Sequence, residues 1–339
     1  MNKSLATFEQ ALYGFMASHV LFTAEKLGVF DSLISGQGST SGDLARQNGG
    51  NPSAMEKLLI GAIAIGLLDR TDKGYAIPAD LLPFFDRESP DYMCRGFGHY
   101  RDVSTKIFHF LADAVVENAP QWSRYSPEAG SIDPFSQIYS DPENTAIFLE
   151  SMWGLGYGPA KQILSKFSLK NFSELVDIGG ASGSFAIAAL EANPSLLATV
   201  FDLSIVEPHL QSKADLHRVS DRLSFTSGDM FRDAFPPADL YAMGYILSDW
   251  SREQGTTLLQ KVYDSLPNGG AVLILEKLFD EDKRGPLSTA MMNLVMLLET
   301  YGEHHSVSEY FQWLQEIGFG DCKVVRSEGE KHMIVGYKG

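Results

Sequence analysis

The stretch Val176-Asp177-Ile178-Gly179-Gly180-Ala181-Ser182-Gly183 limits what this chain can fold into more than any other. An apolar run ends in an acidic residue, and glycines follow where a helical period begins. Glycine lets a backbone bend sharply and approach a ligand closely. The free N–H groups of the next helix favour an anion such as a carboxylate. Around this loop, short apolar runs alternate with helical periods from Phe172 onward. Leu175–Ile178, Leu197–Phe201, Leu223–Phe225, Leu240–Leu247 and Ala271–Leu275 read as strands. Helices are expected through Phe185–Leu190, around Ile205–His217 and over Leu287–Glu299. A Ser251/Gln254 capping box starts another, which carries Leu258, Leu259, Val262 and Leu266 and ends at Pro267-Asn268-Gly269-Gly270. Lys323–Arg326 and Met333–Tyr337 read as a closing antiparallel hairpin. The alternation predicts an α/β protein: a mostly parallel sheet with helices on both faces.

The first part of the chain, taken as residues 1–100, has another texture. Ser4 is placed to cap a helix with Leu5, Phe8, Leu12, Phe15 and Met16 at helical spacing, and Gly28 ends that segment. Thr40-Ser41-Gly42-Asp43 starts a short helix that stops at Asn48-Gly49-Gly50. Pro52 opens a third helix with Met55, Leu58, Leu59, Ala62 and Ile63 on one face. Leu67–Arg70 and Tyr75–Ile77 flank a turn and read as a β-hairpin. Three helices and a hairpin make a winged-helix-like module, which serves either DNA binding or dimerisation. Residues 101–339 form the remainder, with 101–165 a helical connection. Gly154, Gly156, Gly158 and Pro159 are expected to break it.

Charge decides between the two roles of the module. The chain of 339 residues carries 43 acidic and 27 basic residues, a net charge of −16. Nucleic-acid binding needs a cationic surface to displace counterions, so dimerisation is favoured and no nucleic-acid partner is expected. Hydrophobic residues make up 44% and charged residues 21%, which excludes a disordered chain. The longest apolar run, Met291–Leu298, is interrupted by Asn293 and falls far short of the ~20 residues that span a bilayer. No apolar signal core precedes or follows Glu9. Cys94 and Cys322 are far apart and read as reduced thiols. A soluble, cytoplasmic protein with no membrane partner is expected.

Two ligand classes use a glycine loop at this place in a sheet. Dinucleotide sites want G-x-G-x-x-G, and this loop reads D-x-G-x-A-x-G instead, through Asp177, Gly179, Ala181 and Gly183. That pattern matches the loop that holds S-adenosylmethionine. Asp177 is expected to help hold the ligand's amino-acid portion. Gly183, rather than Gly180, is expected to require the absence of a side chain. Asp202 ends the next strand about 25 residues on, where an acidic residue accepts hydrogen bonds from ribose hydroxyls. Gly228-Asp229-Met230-Phe231 follows strand three, where an Asp and an apolar neighbour suit an adenine. Leu203 and Gly244 complete the expected donor-binding set.

The whole chain resembles the class I small-molecule O-methyltransferases typified by plant phenolic and animal hydroxyindole O-methyltransferases. The matching segments begin with Gly14–Phe22 and Leu27–Asp31. They continue through the glycine loop, Pro237–Tyr241, Leu247-Ser248-Asp249-Trp250, Asn268-Gly269-Gly270, Asp280–Asp282, Arg284–Leu287 and Ile317-Gly318-Phe319. The resemblance implies a Rossmann-like, seven-stranded methyltransferase sheet and an N-terminal winged-helix-like dimerisation domain. It further implies a homodimer, S-adenosylmethionine as methyl donor, and a small aromatic or heteroaromatic hydroxyl acceptor lodged between the domains.

One departure bears on mechanism. Family members that methylate phenols have Leu-His-Asp-Trp after strand four, and that His takes the acceptor's proton. Here Ser248 stands in its place, and a serine hydroxyl is no base near neutral pH. Of the acidic residues around that His, one aligns with Glu276. The other falls in a Gly-Lys-Glu-Arg segment that here reads Gly302-Glu303-His304-His305, so His304 replaces it. Asp249, His304 and Arg95 are the candidates to orient or deprotonate the acceptor, with Glu276 beside them. Met16, Phe97, Met152, Trp153, Ser248, Met291, Met292 and Met296 are candidates for the acceptor pocket, and Asn293 for a polar contact in it. Two other readings use the same residues. In one, His304, His305, Asp249 and His99 hold a metal for C-methylation of a 2-oxo acid, or the fold runs non-methylating chemistry. In the other, the chain is a ligand-sensing winged-helix regulator.

Overall fold

The computed structural model describes residues 3–89, 92–126, 135, 138–139 and 142–339. The chain divides into two compact units, Met1–Arg101 and Asp102–Gly339.

In the first unit, α1 (Lys3–Lys26), α2 (Val29–Leu33), α3 (Ser41–Asn48) and α4 (Pro52–Ala64) precede a hairpin of β1 (Asp69–Thr71) and β2 (Gly74–Ala76). Local signals set these boundaries. Thr40 Oγ1 accepts from the Asp43 amide at 3.1 Å, and Asn51 Oδ1 accepts from the Ser53 and Ala54 amides at 3.0 and 3.2 Å. Ser4 lies inside the first turn of α1 rather than ahead of it. The core joins Val29, Phe30 and Leu33 to Leu44, Leu59, Leu68 and Tyr75. Leu5, Phe8, Leu12, Phe15 and Met16 stay at least half exposed along α1.

The second unit opens with short helical pieces, including Leu111–Glu117. It continues through α5 (Pro142–Lys166), β3 (Glu174–Ile178), α6 (Ser184–Ala192), β4 (Leu197–Asp202), α7 (Glu207–His217), β5 (Leu223–Ser227) and β6 (Leu240–Gly244). There follow α8 (Arg252–Ser265), β7 (Ala271–Lys277), α9 (Leu287–Glu299), α10 (Val307–Ile317), β8 (Gly320–Val325) and β9 (Lys331–Tyr337). The seven strands are ordered β5-β4-β3-β6-β7-β9-β8. Those from β3 to β7 run parallel, and β9 runs antiparallel to both neighbours. Alternate residues face opposite sides. Leu175, Ala242 and Leu273 meet α5 and α6, whereas Val176, Met243 and Ile274 meet α8 and α10. Strand order reverses between β3 and β6, and the crevice at such a switch point is where open α/β sheets bind ligands.

Three sequence expectations change here. The glycines and proline from Gly154 to Pro159 do not break the chain, because α5 runs through all of them. At Gly156 a Cβ would stand 2.2 Å from Ser184 Oγ, so the missing side chain is what lets α5 lie against α6. The fourth strand ends at Gly244 rather than Leu247, since Tyr245 turns to φ 56° and Leu247–Asp249 forms a 3₁₀ turn. Helix α10 was not expected at all. Ser306 and Glu309 begin it with a complete capping box.

Candidate active site

The glycine loop leaves β3 and enters α6 at the switch point. Gly179 lies at φ 64° and Gly183 at φ 80°, a left-handed backbone that favours glycine. A Cβ would stand 2.4 Å from Ile246 Cδ1 at Gly179, and 2.4 Å from Leu210 Cδ1 at Gly183. The requirement extends to Gly180, where a Cβ would meet the Asp177 carboxyl carbon at 2.8 Å. Restricting it to Gly183 is therefore corrected. Asp177 is buried, and its Oδ2 accepts from the Ala186 amide at 3.2 Å, bracing the first turn of α6 from beneath the loop. Burial pushes this carboxyl up to about 7, against the pull of the Ala186 amide and the Lys331 charge.

Asp202 closes β4 and grips the same loop. Its Oδ2 accepts from the Ala181 amide at 2.8 Å and its Oδ1 from the Leu203 amide at 2.7 Å. Each oxygen keeps a second lone pair for a hydroxyl donor. Burial raises this carboxyl to about 6. After β5, Gly228 is pressed against Phe201, whose ring lies 2.3 Å from where a Cβ would stand. Asp229 Oδ1 accepts from the Phe231 amide at 2.8 Å, which shapes the turn that carries Met230. The Met230 methyl lies 3.8 Å from a Cβ built on Gly179, so it reaches the glycine loop. Leu203 is exposed, and Gly244 ends β6 beside the buried Lys331. A bent glycine cradle, an acidic residue on the neighbouring strand and an apolar side chain over the loop fit S-adenosylmethionine. Lys331 and Tyr139 are additions that sequence reasoning missed. Tyr139 stays a neutral phenol, because burial and then the carboxylates of Asp202 and Asp249 push its pKa up.

A second cluster lies after β6 and β7. Gly302 is pressed onto the Leu247–Asp249 turn, and a Cβ there would stand 1.9 Å from the Ser248 carbonyl oxygen. Glu276, fully buried at the end of β7, accepts from the Ser248 amide through Oε1 at 3.3 Å. His304 Nδ1 lies 4.0 Å from Glu276 Oε2. That Oε2, both His304 ring nitrogens and the Tyr310 hydroxyl are buried and lack a hydrogen-bond partner among the described residues. Burial drives the Glu276 carboxyl up to about 7, opposed by Ser248 and Lys331, and drives His304 down to about 4. Asp249 ends the Leu247–Asp249 turn and is half-buried. Burial, then the charges of Glu276 and Glu299, hold its carboxyl well above the ordinary carboxylate range.

The remaining candidates are scattered. Asn293 on α9 accepts from the His304 amide through Oδ1 at 2.7 Å, so it fastens the His304 segment. Met292 is half-buried and Met291 exposed on that helix, while Met296 is buried. On α5, Met152 is half-buried. Trp153 is a core residue, stacked on Tyr157 at 4.7 Å with the Lys213 ammonium over its ring. Phe97 sits edge-on to Phe22 in the first unit, and Met16 is exposed on α1. The Arg95 side chain lies outside the described residues. Cys94 and Cys322 are free thiols. Among the described residues, no three His, Cys, Asp or Glu side chains are grouped to hold a metal ion, and no helix is long and apolar enough to cross a membrane.

Comparison with known proteins agrees with this geometry. Residues 108–320 match the O-methyltransferase domain, and residues 9–79 match the O-methyltransferase dimerisation domain. The chain is 31% identical over 334 residues to the acetylserotonin O-methyltransferase of Bos taurus, covering 96% of this chain and 95% of that one. It is 33% identical over 334 residues to a probable bifunctional dTTP/UTP pyrophosphatase/methyltransferase protein of Homo sapiens. That alignment takes in 97% of this chain but only 53% of the human protein, about half its length. The crystal structure of human N-acetylserotonin methyltransferase in complex with S-adenosylmethionine superposes with a TM-score of 0.91 at 28% identity, covering 100% of this chain and 99% of that one. The fold and donor expected from the sequence are thus borne out, and this chain belongs to the S-adenosylmethionine-dependent O-methyltransferase family, with that family's dimerisation domain at its N-terminal end.

Proposed function

We propose that this protein methylates a hydroxyl group of a small aromatic or heteroaromatic molecule, and that Asp249 takes the proton in place of the missing histidine. When bound, S-adenosylmethionine supplies a methyl group on an electrophilic sulfonium. The chain's own residues must then place the acceptor oxygen and receive its proton. Placement supplies up to ~7–11 kcal/mol in well-oriented reactions. A general base adds about 10²–10⁴-fold, and works best with a pKa near the working pH. An ordinary carboxylate is too weak a base for a phenol. Asp249 carries the reading, because it is the carboxyl next to Ser248 and is only half-buried where Glu276 is sealed; burial and the Glu276 and Glu299 charges also hold its pKa above the ordinary carboxylate range. Glu276 acts as a positioning residue that sets the charge behind it, with the neutral His304 beside it. Asp177, Gly179, Gly180, Gly183, Asp202 and the Asp229–Phe231 turn hold the donor. Met152, Met292 and Met296 suit the flat face of an acceptor.

The exposed stripe on α1 supports a homodimer, and the two free cysteines suit a reducing cytoplasm. The bovine relative is named for acetylserotonin, which supports a hydroxylated heteroaromatic acceptor or a related natural-product intermediate. The test is transfer of a radiolabelled methyl group to a panel of phenols, hydroxyindoles and hydroxypyrroles, with 2-oxo acids and a chelator as further arms. Label on an aromatic oxygen that survives chelation is expected. Label on the carbon of a 2-oxo acid, lost on chelation, would overturn the reading.

A further inference from the structure

Lys331 opens β9, paired in register with Lys277 at the carboxyl end of β7. It is 4% exposed. Its ammonium lies 4.0 Å from the centre of the Tyr245 ring. It stands 3.2 Å from where a Cβ on Gly244 would be, and 3.9 Å from where one on Gly156 would be. Gly244 closes β6, and Gly156 rests on Ser184, the first residue of α6. A buried cation therefore stands where β6, α5 and the start of α6 converge, beside the glycine loop. Among the described residues, none forms an ion pair or a hydrogen bond with it. Asp177 and Glu276 act on it only through space, and burial lowers its proton affinity, to about 8. A buried ammonium held only by an aromatic face and by distant carboxylates is costly, so such a group calls for an anion. The only anionic group of S-adenosylmethionine is the carboxylate of its amino-acid end.

We infer that the Lys331 ammonium donates to the donor's carboxylate, and that Gly244 lacks a side chain so that it can reach. The inference rests on reading the glycine loop as the donor's seat. It gives the methyl donor a charge-assisted anchor on a strand remote in sequence from that loop. The test uses calorimetric titration of the full chain with S-adenosylhomocysteine, and with 5′-methylthioadenosine, which has no amino-acid end. Lys331→Met is expected to weaken S-adenosylhomocysteine about tenfold to hundredfold and to leave 5′-methylthioadenosine unchanged. Lys331→Arg should recover part of the loss. Unchanged S-adenosylhomocysteine affinity in Lys331→Met, or equal losses for both ligands, would overturn the inference. Gly183→Val separates the two claims: it should abolish binding of both ligands, and full binding by that variant would instead overturn the loop reading.

Discussion

Asp249 is a carboxyl group surrounded by reasons to stay protonated: burial, Glu276 and Glu299. That has a consequence for pH. A base works only when deprotonated, so kcat/KM should rise with pH well above the ordinary carboxylate range. Removing the Glu276 charge removes part of what raises Asp249. Glu276→Gln keeps an acceptor oxygen for the Ser248 amide but carries no charge. The acidic limb of its pH–rate profile should therefore move to lower pH, and a limb that stays in place would contradict this coupling. Ser248 where the resemblance implies His, and His304 where it implies an acidic residue, are legible along the chain. Two contacts were not. Gly302 is one glycine among 31, and its need shows only when it lies against the Ser248 carbonyl. Lys331 becomes notable only once β9 pairs with β7 and carries it to the ligand edge.

At the scale of elements, capping chemistry was the most readable layer. Thr40 and Ser251 accept from the backbone where their side chains predicted a helix start, and Asn51 caps the helix that Pro52 predicted, whereas Ser4 lies inside α1. Ser306 carries the same signature and begins α10. Ser306→Ala should cost about 0.5–2 kcal/mol in denaturant unfolding without changing the m-value, since it removes the cap's hydrogen bonds and leaves the apolar core in place. Helix α5 was misread for a tertiary reason. Glycine costs a helix about 1 kcal/mol and proline about 3 kcal/mol relative to alanine, so a local reading breaks the chain there. The approach of α5 to α6 at Gly156, invisible along the sequence, outweighs that cost. Strands β3 and β7 followed their apolar runs closely, because burial on both faces leaves a continuous signal, whereas the edge strand β8 is largely exposed and begins ahead of the expected Lys323.

The whole molecule joins an acidic chain to a dimerisation domain with an apolar stripe on α1. Leu5, Phe8, Leu12 and Phe15 keep half or more of their surface open, which a second copy would bury. Phe8→Asp combined with Phe15→Asp should leave a folded monomer in analytical ultracentrifugation, and an undisturbed dimer would contradict the stripe's role. Wild-type turnover then depends on where the proton goes once an acceptor is seated. Single-turnover methyl transfer by Asp249→Asn, with donor affinity measured on the same sample, tests that assignment most directly. The rate should fall about 10²–10⁴-fold at unchanged donor affinity, and His304→Ala should fall less. Full transfer rates in both variants would contradict it.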